Sequence, residues 1–267
     1  PGHGELTGGL LRSAGRLDAI EIDRDLAASL RARFAADAAL VLHEADALQF
    51  DWRALAAARG APLRLVGNLP YNISTPLLFQ LLQAAEVITD MHFMLQKEVV
   101  ERIVAAPGSD AYGRLTVMLA PRVASTRLLD VGPGAFRPAP RVSSSVVRLR
   151  IIEPPWRVSP LYGPVVAAAF SQRRKTLRNA LHAYLSAAQI EALGLDPGVR
   201  AERLAPRPPF ARDEGARERA EQGRQRRHHD RAEAHQRRLA DRAHTVRALA
   251  PPHQRETDHH DGVLLDD

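Results

Sequence analysis

The four residues Asn68-Leu69-Pro70-Tyr71 carry the most specific chemistry in this sequence. The amino group of a nucleobase is a poor nucleophile, because its lone pair is delocalised into the ring. Two acceptors, the side-chain amide oxygen of Asn68 and the main-chain carbonyl of Leu69, can take its two N–H bonds and draw the nitrogen toward tetrahedral geometry. The lone pair then points at an electrophilic methyl, so the arrangement works by placement and requires no strong general base. Pro70 fixes the turn, and Tyr71 offers an aromatic face on which a base can stack. An asparagine turn beside a core tyrosine is the plainer reading of the same residues.

Four further stretches bear on that chemistry. Pro1-Gly2-His3-Gly4-Glu5 spaces its glycines so that the backbone can approach a ligand, with helix amides to follow. Glu21 ends the apolar run that begins at Leu17, where a nucleotide-binding α/β fold places an acid on ribose hydroxyls. A surface charge at Glu21, with Asp23 capping the next helix, is the alternative. Asp46-Ala47 can accept from an adenine amine and pack on the ring, or can simply form a turn. Phe136-Arg137-Pro138-Ala139-Pro140 is a proline-stiffened loop whose leading aromatic can stack on a flipped base or pack beneath the loop. Finally, Arg173, Arg174, Lys175 and Arg178 place four cations within six residues, as a phosphate-contacting patch or a solvated basic face.

The elements that must hold these groups follow from hydrophobic periodicity. Residues 17–22, 39–43, 63–68 and 91–95 read as strands, and 26–36, 52–58, 76–84 and 98–105 as helices. That alternation predicts an α/β fold with a mostly parallel sheet. Residues 123–130 and 145–151, joined by a Gly/Pro-rich loop, predict a closing antiparallel pair. Beyond Pro154-Pro155 the strand signal ends, and 161–170, 177–185 and 187–193 suggest a small helical domain. Residues 206–267 alternate Arg, Glu and Ala without sustained apolar period and are expected to be disordered. The histidine pairs at 228–229 and 259–260 read as solvated low complexity rather than a metal site, and no metal is expected.

Composition narrows the class. The chain has 267 residues, 45% of them hydrophobic, with net charge +6, pI near 10.4 and no cysteine. Disulfides and thiolate metal sites are excluded. No apolar run of ~18 residues occurs and no basic-then-apolar stretch opens the sequence, so neither a membrane span nor a leader is expected. Most of the basic excess lies before Pro206, which suits a polyanionic partner. A cytoplasmic enzyme is the simplest expectation.

Three ordered motifs make a family visible. The runs 68–77 (beginning Asn68-Leu69-Pro70-Tyr71-Asn72-Ile73), 91–99 (ending Gln96-Lys97-Glu98-Val99) and 173–179 (Arg173-Arg174-Lys175-Thr176-Leu177-Arg178-Asn179) resemble the bacterial small-subunit rRNA adenine dimethyltransferases. The likeness runs from Pro1 to about Leu204. It implies a Rossmann-like S-adenosylmethionine-dependent methyltransferase fold with a small all-α C-terminal domain. It also implies dimethylation of N6 on two adjacent adenosines in the 3'-terminal hairpin of small-subunit rRNA, and a role in small-subunit biogenesis. The cofactor would be S-adenosylmethionine, held by Gly2, Gly4, Glu21, Asp46 and Ala47, with Asn68 between it and the target amine. Leu69 would supply the second acceptor, Pro70 would shape the turn, and Tyr71 with Phe136 would hold the base. Arg173, Arg174, Lys175 and Arg178 would face rRNA in the immature small subunit, and the protein would act as a monomer.

The sequence departs from the family in three places. Members carry an N-terminal arm, a helix and a first central strand ahead of the glycine turn. Their usual Lys-Val-Asp-Ser is Arg141-Val142-Ser143-Ser144 here, and 206–267 resembles nothing in the family. The expected division is therefore 1–155 as a methyltransferase domain lacking its first strand, 156–205 as a helical rRNA-binding domain, and 206–267 as a tail. Two other functions fit parts of the pattern: a macrolide-resistance-type methyltransferase of large-subunit rRNA, and a non-catalytic rRNA-binding assembly factor. The 97–99 and 173–179 motifs favour the small-subunit enzyme.

Overall fold

The computed structural model describes residues 1–154 and 157–206. By internal packing the chain forms two compact units. The first comprises Pro1–Val100 and Ala124–Ile151, and the second comprises Glu101–Val123 with the described residues from Ile152 on.

In the first unit, helix α1 (Thr7–Ala14) follows the glycine turn and ends at Gly15, whose φ of 70° closes the helix in the left-handed region. Strands β1 (Leu17–Glu21) and β2 (Leu40–Glu44) pair in parallel from Leu17↔Leu40 to Glu21↔Glu44. Between them runs α2 (Arg24–Arg33), started by Asp23, whose Oδ1 accepts the amides of Asp25 and Leu26 at 2.9 and 3.1 Å. Helix α3 (Trp52–Arg59) follows β2. Its Arg59 donates to Asp18 on β1, which also meets His43 of β2 at 2.8 Å, so one half-buried carboxylate ties three elements together.

A second sheet has the strand order β3-β4-β6-β5, made from Leu63–Asn68, Ile88–Gln96, Ser144–Ile151 and Val123–Val131 respectively. Strand β4 pairs in parallel with β3 and antiparallel with β6. Alternation along β4 buries Met91, Phe93 and Leu95 on one face, opposite Leu149, Val147 and Ser145 of β6. Helix α4 (Ser74–Gln83) adds Leu77, Leu78 and Leu81 to this core. Each such apolar side chain contributes ~1.5–3 kcal/mol on burial. The opposite face of β4 carries Asp90, which is buried and held by both Nε and Nη2 of Arg64 at 3.0 and 2.8 Å. Thus the expected sheet occurs as two pieces, and β1 and β3 each keep one edge without a strand partner among the described residues.

The second unit is helical and has its own core. Helices α6 (Arg114–Leu119), α7 (Tyr162–Ala169), α8 (Leu177–Ala180) and α9 (Ala187–Ala192) surround Tyr112, Val117, Tyr162, Val165, Val166, Leu181 and Leu204. Buried Tyr112 and Tyr162 donate to the carbonyls of Leu204 and Val117, both at 2.7 Å, and burial pushes both phenols up. Those contacts explain why 101–123 groups with the residues after 152: Tyr112 and Val117 are part of this core. The helix expected over 177–185 stops at Ala180. There Nδ1 of His182 binds the Asn179 carbonyl at 3.0 Å and competes for a helical acceptor. The core spacing of Leu177, Leu181 and Leu185 nonetheless survives. Helix α5 (Lys97–Ile103) follows β4 and runs across the boundary between the units. Apart from Pro206, the 206–267 tail lies outside the described residues, as do its histidine pairs.

Candidate active site

In the first unit Glu21 closes β1, Asp46 follows β2 and Asn68 closes β3, each at the carboxyl end of a parallel strand, where open α/β sheets place ligands. At the end of β1, Glu21 is mostly buried and its two oxygens are oriented by main-chain amides. Oε2 accepts from Gly2 at 3.0 Å and Oε1 from Asp23 at 3.1 Å, while the Pro1 amine lies 3.3 Å from Oε2. Burial acts to raise the carboxyl's pKa, while the amide bonds from Asp23 and Gly2 lower it, leaving Glu21 below its ordinary value. The glycine turn and the strand-end acid expected from sequence therefore meet in direct contact.

The two glycines of that turn do different work. Gly2 has φ 59°, and a Cβ there would meet nothing within 4 Å, so its backbone faces open space. Gly4 has φ 84° and is buried; a Cβ would lie 2.8 Å from Leu30 Cδ2 and 3.0 Å from Phe34 Cε2. Gly4 thus leaves room for Leu30 and Phe34, whereas a Cβ at Gly2 would meet open space. Ala45 joins β2 to this corner through its amide on the Glu21 carbonyl at 3.0 Å. Next to it, Asp46 bends the chain: Oδ1 accepts from the Leu48 amide at 2.8 Å and Oδ2 from the Gln49 side chain at 3.3 Å. Ala47 is partly buried within this turn. The set of a half-buried carboxylate, a second acid and an approachable glycine backbone fits a nucleoside-bearing cofactor.

Asn68 is the last residue of β3 and is exposed. The Leu69 amide is bound by the Met94 carbonyl of β4 at 3.2 Å, which fixes the turn's start. The turn closes with Ile73 N–H on the Pro70 carbonyl at 3.2 Å, and Ser74 Oγ donates to the Tyr71 carbonyl at 3.1 Å as α4 begins. Tyr71 is 41% exposed, an aromatic face open to a partner, and its hydroxyl approaches Ser144 Oγ at 3.5 Å. Phe136, half-buried, follows a single 3-10 turn (Pro133–Ala135), and the Arg137–Pro138 bond after it is cis. The ring-on-ring contacts of the described residues lie elsewhere, at His43, Phe50 and Trp52 and at Tyr112 and Phe170, so Phe136 and Tyr71 are not stacked on each other.

In the second unit, Arg173, Arg174, Lys175 and Arg178 are all exposed. Arg173 Nη2 is hooked on the Asp110 carbonyl at 2.5 Å, and Arg178 sits on α8. One residue near the base of the Phe136 loop was not expected from sequence. Asp130, next to last in β5, accepts Ser145 Oγ at 2.6 Å and faces Lys97 Nζ at 3.4 Å. An acid just before a Gly/Pro loop was its only sequence signal, and that pattern is too common to single it out.

Comparison with known proteins points to one family. The profile of the ribosomal RNA adenine dimethylase family matches residues 1–207. A protein of Aromatoleum aromaticum named ribosomal RNA small subunit methyltransferase A is 56% identical over 207 residues, covering 76% of each chain. Its namesake in Pseudomonas aeruginosa is 53% identical over 207 residues, covering 76% of this chain and 77% of its own. Among solved structures, a dimethyladenosine transferase from Plasmodium falciparum is similar in fold. Its TM-score is 0.63 at 24% identity, over 76% of this chain and 82% of that one. The 23S rRNA methyltransferase ErmE gives a TM-score of 0.59 at 27% identity, over 76% and 84%. The chain belongs to the ribosomal RNA adenine dimethylase family.

Proposed function

We infer that this protein is an S-adenosylmethionine-dependent rRNA adenine dimethyltransferase acting on N6 of two adjacent adenosines in the 3'-terminal hairpin of small-subunit rRNA. The observation that carries the site is Asn68, exposed at the carboxyl end of β3, with the Leu69–Tyr71 turn held by β4 beside it. S-adenosylmethionine supplies the electrophilic methyl. Glu21 accepts ribose hydroxyls, Gly2 and Gly4 let the backbone close on the cofactor, and Asp46 with Ala47 borders the adenine. Asn68 Oδ1 and the Leu69 carbonyl accept the two N–H bonds of the target amine and turn its lone pair outward. Pro70 holds that geometry, while Tyr71 and Phe136 stack on the flipped base.

Arg174, Lys175 and Arg178 contact rRNA phosphates, with Arg173 at the edge of the same patch. The substrate is the immature small subunit, the enzyme is a cytoplasmic monomer, and binding contributes to subunit assembly. No helix among the described residues is long and apolar enough to cross a membrane. The domain reading assigns methyl transfer to 1–155 and rRNA docking to 156–205.

The test is methyl transfer to unmethylated small ribosomal subunits, read as dimethyladenosine by mass spectrometry. Asn68→Ala is expected to cut turnover by ~10²-fold or more while leaving rRNA affinity nearly intact. Unchanged turnover in that variant overturns the assignment of Asn68.

A further inference from the structure

Three features outside the assigned roles converge on the loop that carries Phe136. Residues 132–143 connect β5 to β6, which are neighbours in the sheet. At the β5 end stands Asp130, with Arg127 bidentate on its carboxylate, Nε lying 2.8 Å from Oδ1. Ser145, fully buried at the start of β6, donates its hydroxyl across the loop's base to the same Oδ1 at 2.6 Å. Lys97, the first residue after β4, grips both ends of the loop. Its main-chain N–H bonds the Ser143 carbonyl at 3.0 Å, and its ammonium lies 3.4 Å from Asp130 Oδ2. Ser144, between the two anchored residues, is the one whose Oγ faces the Tyr71 hydroxyl.

We propose that Asp130, bridged by Lys97 and Ser145, is a positioning residue that sets the Phe136 loop and Ser144 against Tyr71, so that the base-holding aromatics are aligned with Asn68. This rests on the base-holding roles given above to Tyr71 and Phe136. The Ser145 hydroxyl and the Arg127 and Lys97 cations hold the Asp130 carboxyl down to about 2, so the bridge stays ionised throughout the working pH range. Asp130 and Lys97 are both well exposed, and exposed ion pairs add little to stability. Alignment is another matter, because a displacement of about 1 Å at a reacting centre can cost ~10²-fold in rate. A bridge that is cheap for folding and costly for turnover is the mark of positioning.

The full chain tests this with four variants on unmethylated small ribosomal subunits. A second readout uses an rRNA hairpin carrying 2-aminopurine at the target adenosine, whose fluorescence reports stacking independently of methyl transfer. Asp130→Asn and Lys97→Met are each expected to lower kcat about tenfold. Both should change the 2-aminopurine signal, leave KM for S-adenosylmethionine unaltered and move the melting temperature by no more than about 2 °C. The double variant should be no worse than either single one, because the two side chains form one bridge. Asp130→Glu should restore part of the turnover. The proposal is overturned if Asp130→Asn matches the parent in turnover and fluorescence, if turnover falls with no change in stacking, or if the loss tracks a fall in melting temperature. Asn68→Ala separates the two ideas. If it kept full turnover while Asp130→Asn lost both turnover and stacking, the Asn68 assignment would fail and the bridge would stand.

Discussion

The cofactor side and the base side of the candidate site are built in opposite ways. Gly2, Glu21 and Asp46 lie in a corner where main-chain amides already engage the carboxylates, and most of those bonds span only two or three residues. Asn68 and Tyr71 stand exposed on a turn, and the loop that brings Phe136 and Ser144 is anchored through contacts 15 to 73 residues apart in sequence. The first side is preorganised by local hydrogen bonding, as suits a small ligand of constant shape. The second is left open and adjustable, as suits a base that must leave a folded RNA before it can bind.

That contrast can be broken from either end. The largest effect belongs to Asn68→Ala, at ~10²-fold or more in turnover with rRNA affinity nearly unchanged, measured by single-turnover methylation and calorimetry. Next, Glu21→Ala should weaken S-adenosylmethionine binding by about 10- to 100-fold, the equivalent of one or two charge-assisted hydrogen bonds, and should leave rRNA affinity alone. A change in rRNA affinity equal to the change in cofactor affinity would mean that the two sides are one cooperative unit.

The glycine pair sharpens the point. Gly4→Ala should cost roughly 1–3 kcal/mol in denaturant unfolding, because it strains a left-handed residue and drives a methyl into Leu30. Gly2→Ala carries the same left-handed strain but has room for its methyl, so its loss of stability should be the smaller of the two and its effect should show in cofactor affinity. Equal loss of stability in both would erase the distinction between a packing and a ligand-facing glycine.

A smaller effect is expected in the second unit. Lys175→Ala should weaken rRNA binding uniformly across hairpin sequences and reduce the slope of log K against log salt by about one. An unchanged salt slope would remove Lys175 from the phosphate surface. The smallest effect concerns pH. Glu21 is depressed in the folded state, so the stability from its amide bonds is present above its ordinary value near 4.5 and is lost as pH falls through the lowered one. Melting curves from pH 6 to 3 should therefore fall less steeply in Glu21→Gln than in the parent, and parallel curves would show that those bonds contribute nothing.

Much of the fold was legible because it follows local periodicity. The strand expected over 63–68 is β3 to the residue, and those around 17–22, 39–43, 123–130 and 145–151 shift by a residue or so at their ends. Strand β4 is longer than expected, starting at Ile88. The reason is Asp90, a charged residue that reads as a strand breaker until Arg64 covers it from β3. Helix α6 escaped notice because six residues in Gly113-Arg114-Leu115-Thr116-Val117-Met118-Leu119 are too few to show a period. Its place in the second unit depends on Tyr112 and Val117 reaching residues some 45 to 90 positions away.

By itself the sequence determined which residue types are available for chemistry and that they fall at strand ends: Glu21 closing β1, Asp46 after β2, Asn68 closing β3. Those facts depend on spacing of two or four residues, which hydrophobic pattern and turn chemistry encode directly. The tertiary structure alone decided that Gly2 rather than Gly4 faces open space, and that residues 101–123 join the helical unit. It also decided that Asp130, Lys97 and Ser145 meet beneath the Phe136 loop. Each of these is a contact between distant parts of the chain, set by how β4, β5 and β6 pair and how α2 packs. No local window of sequence records that pairing.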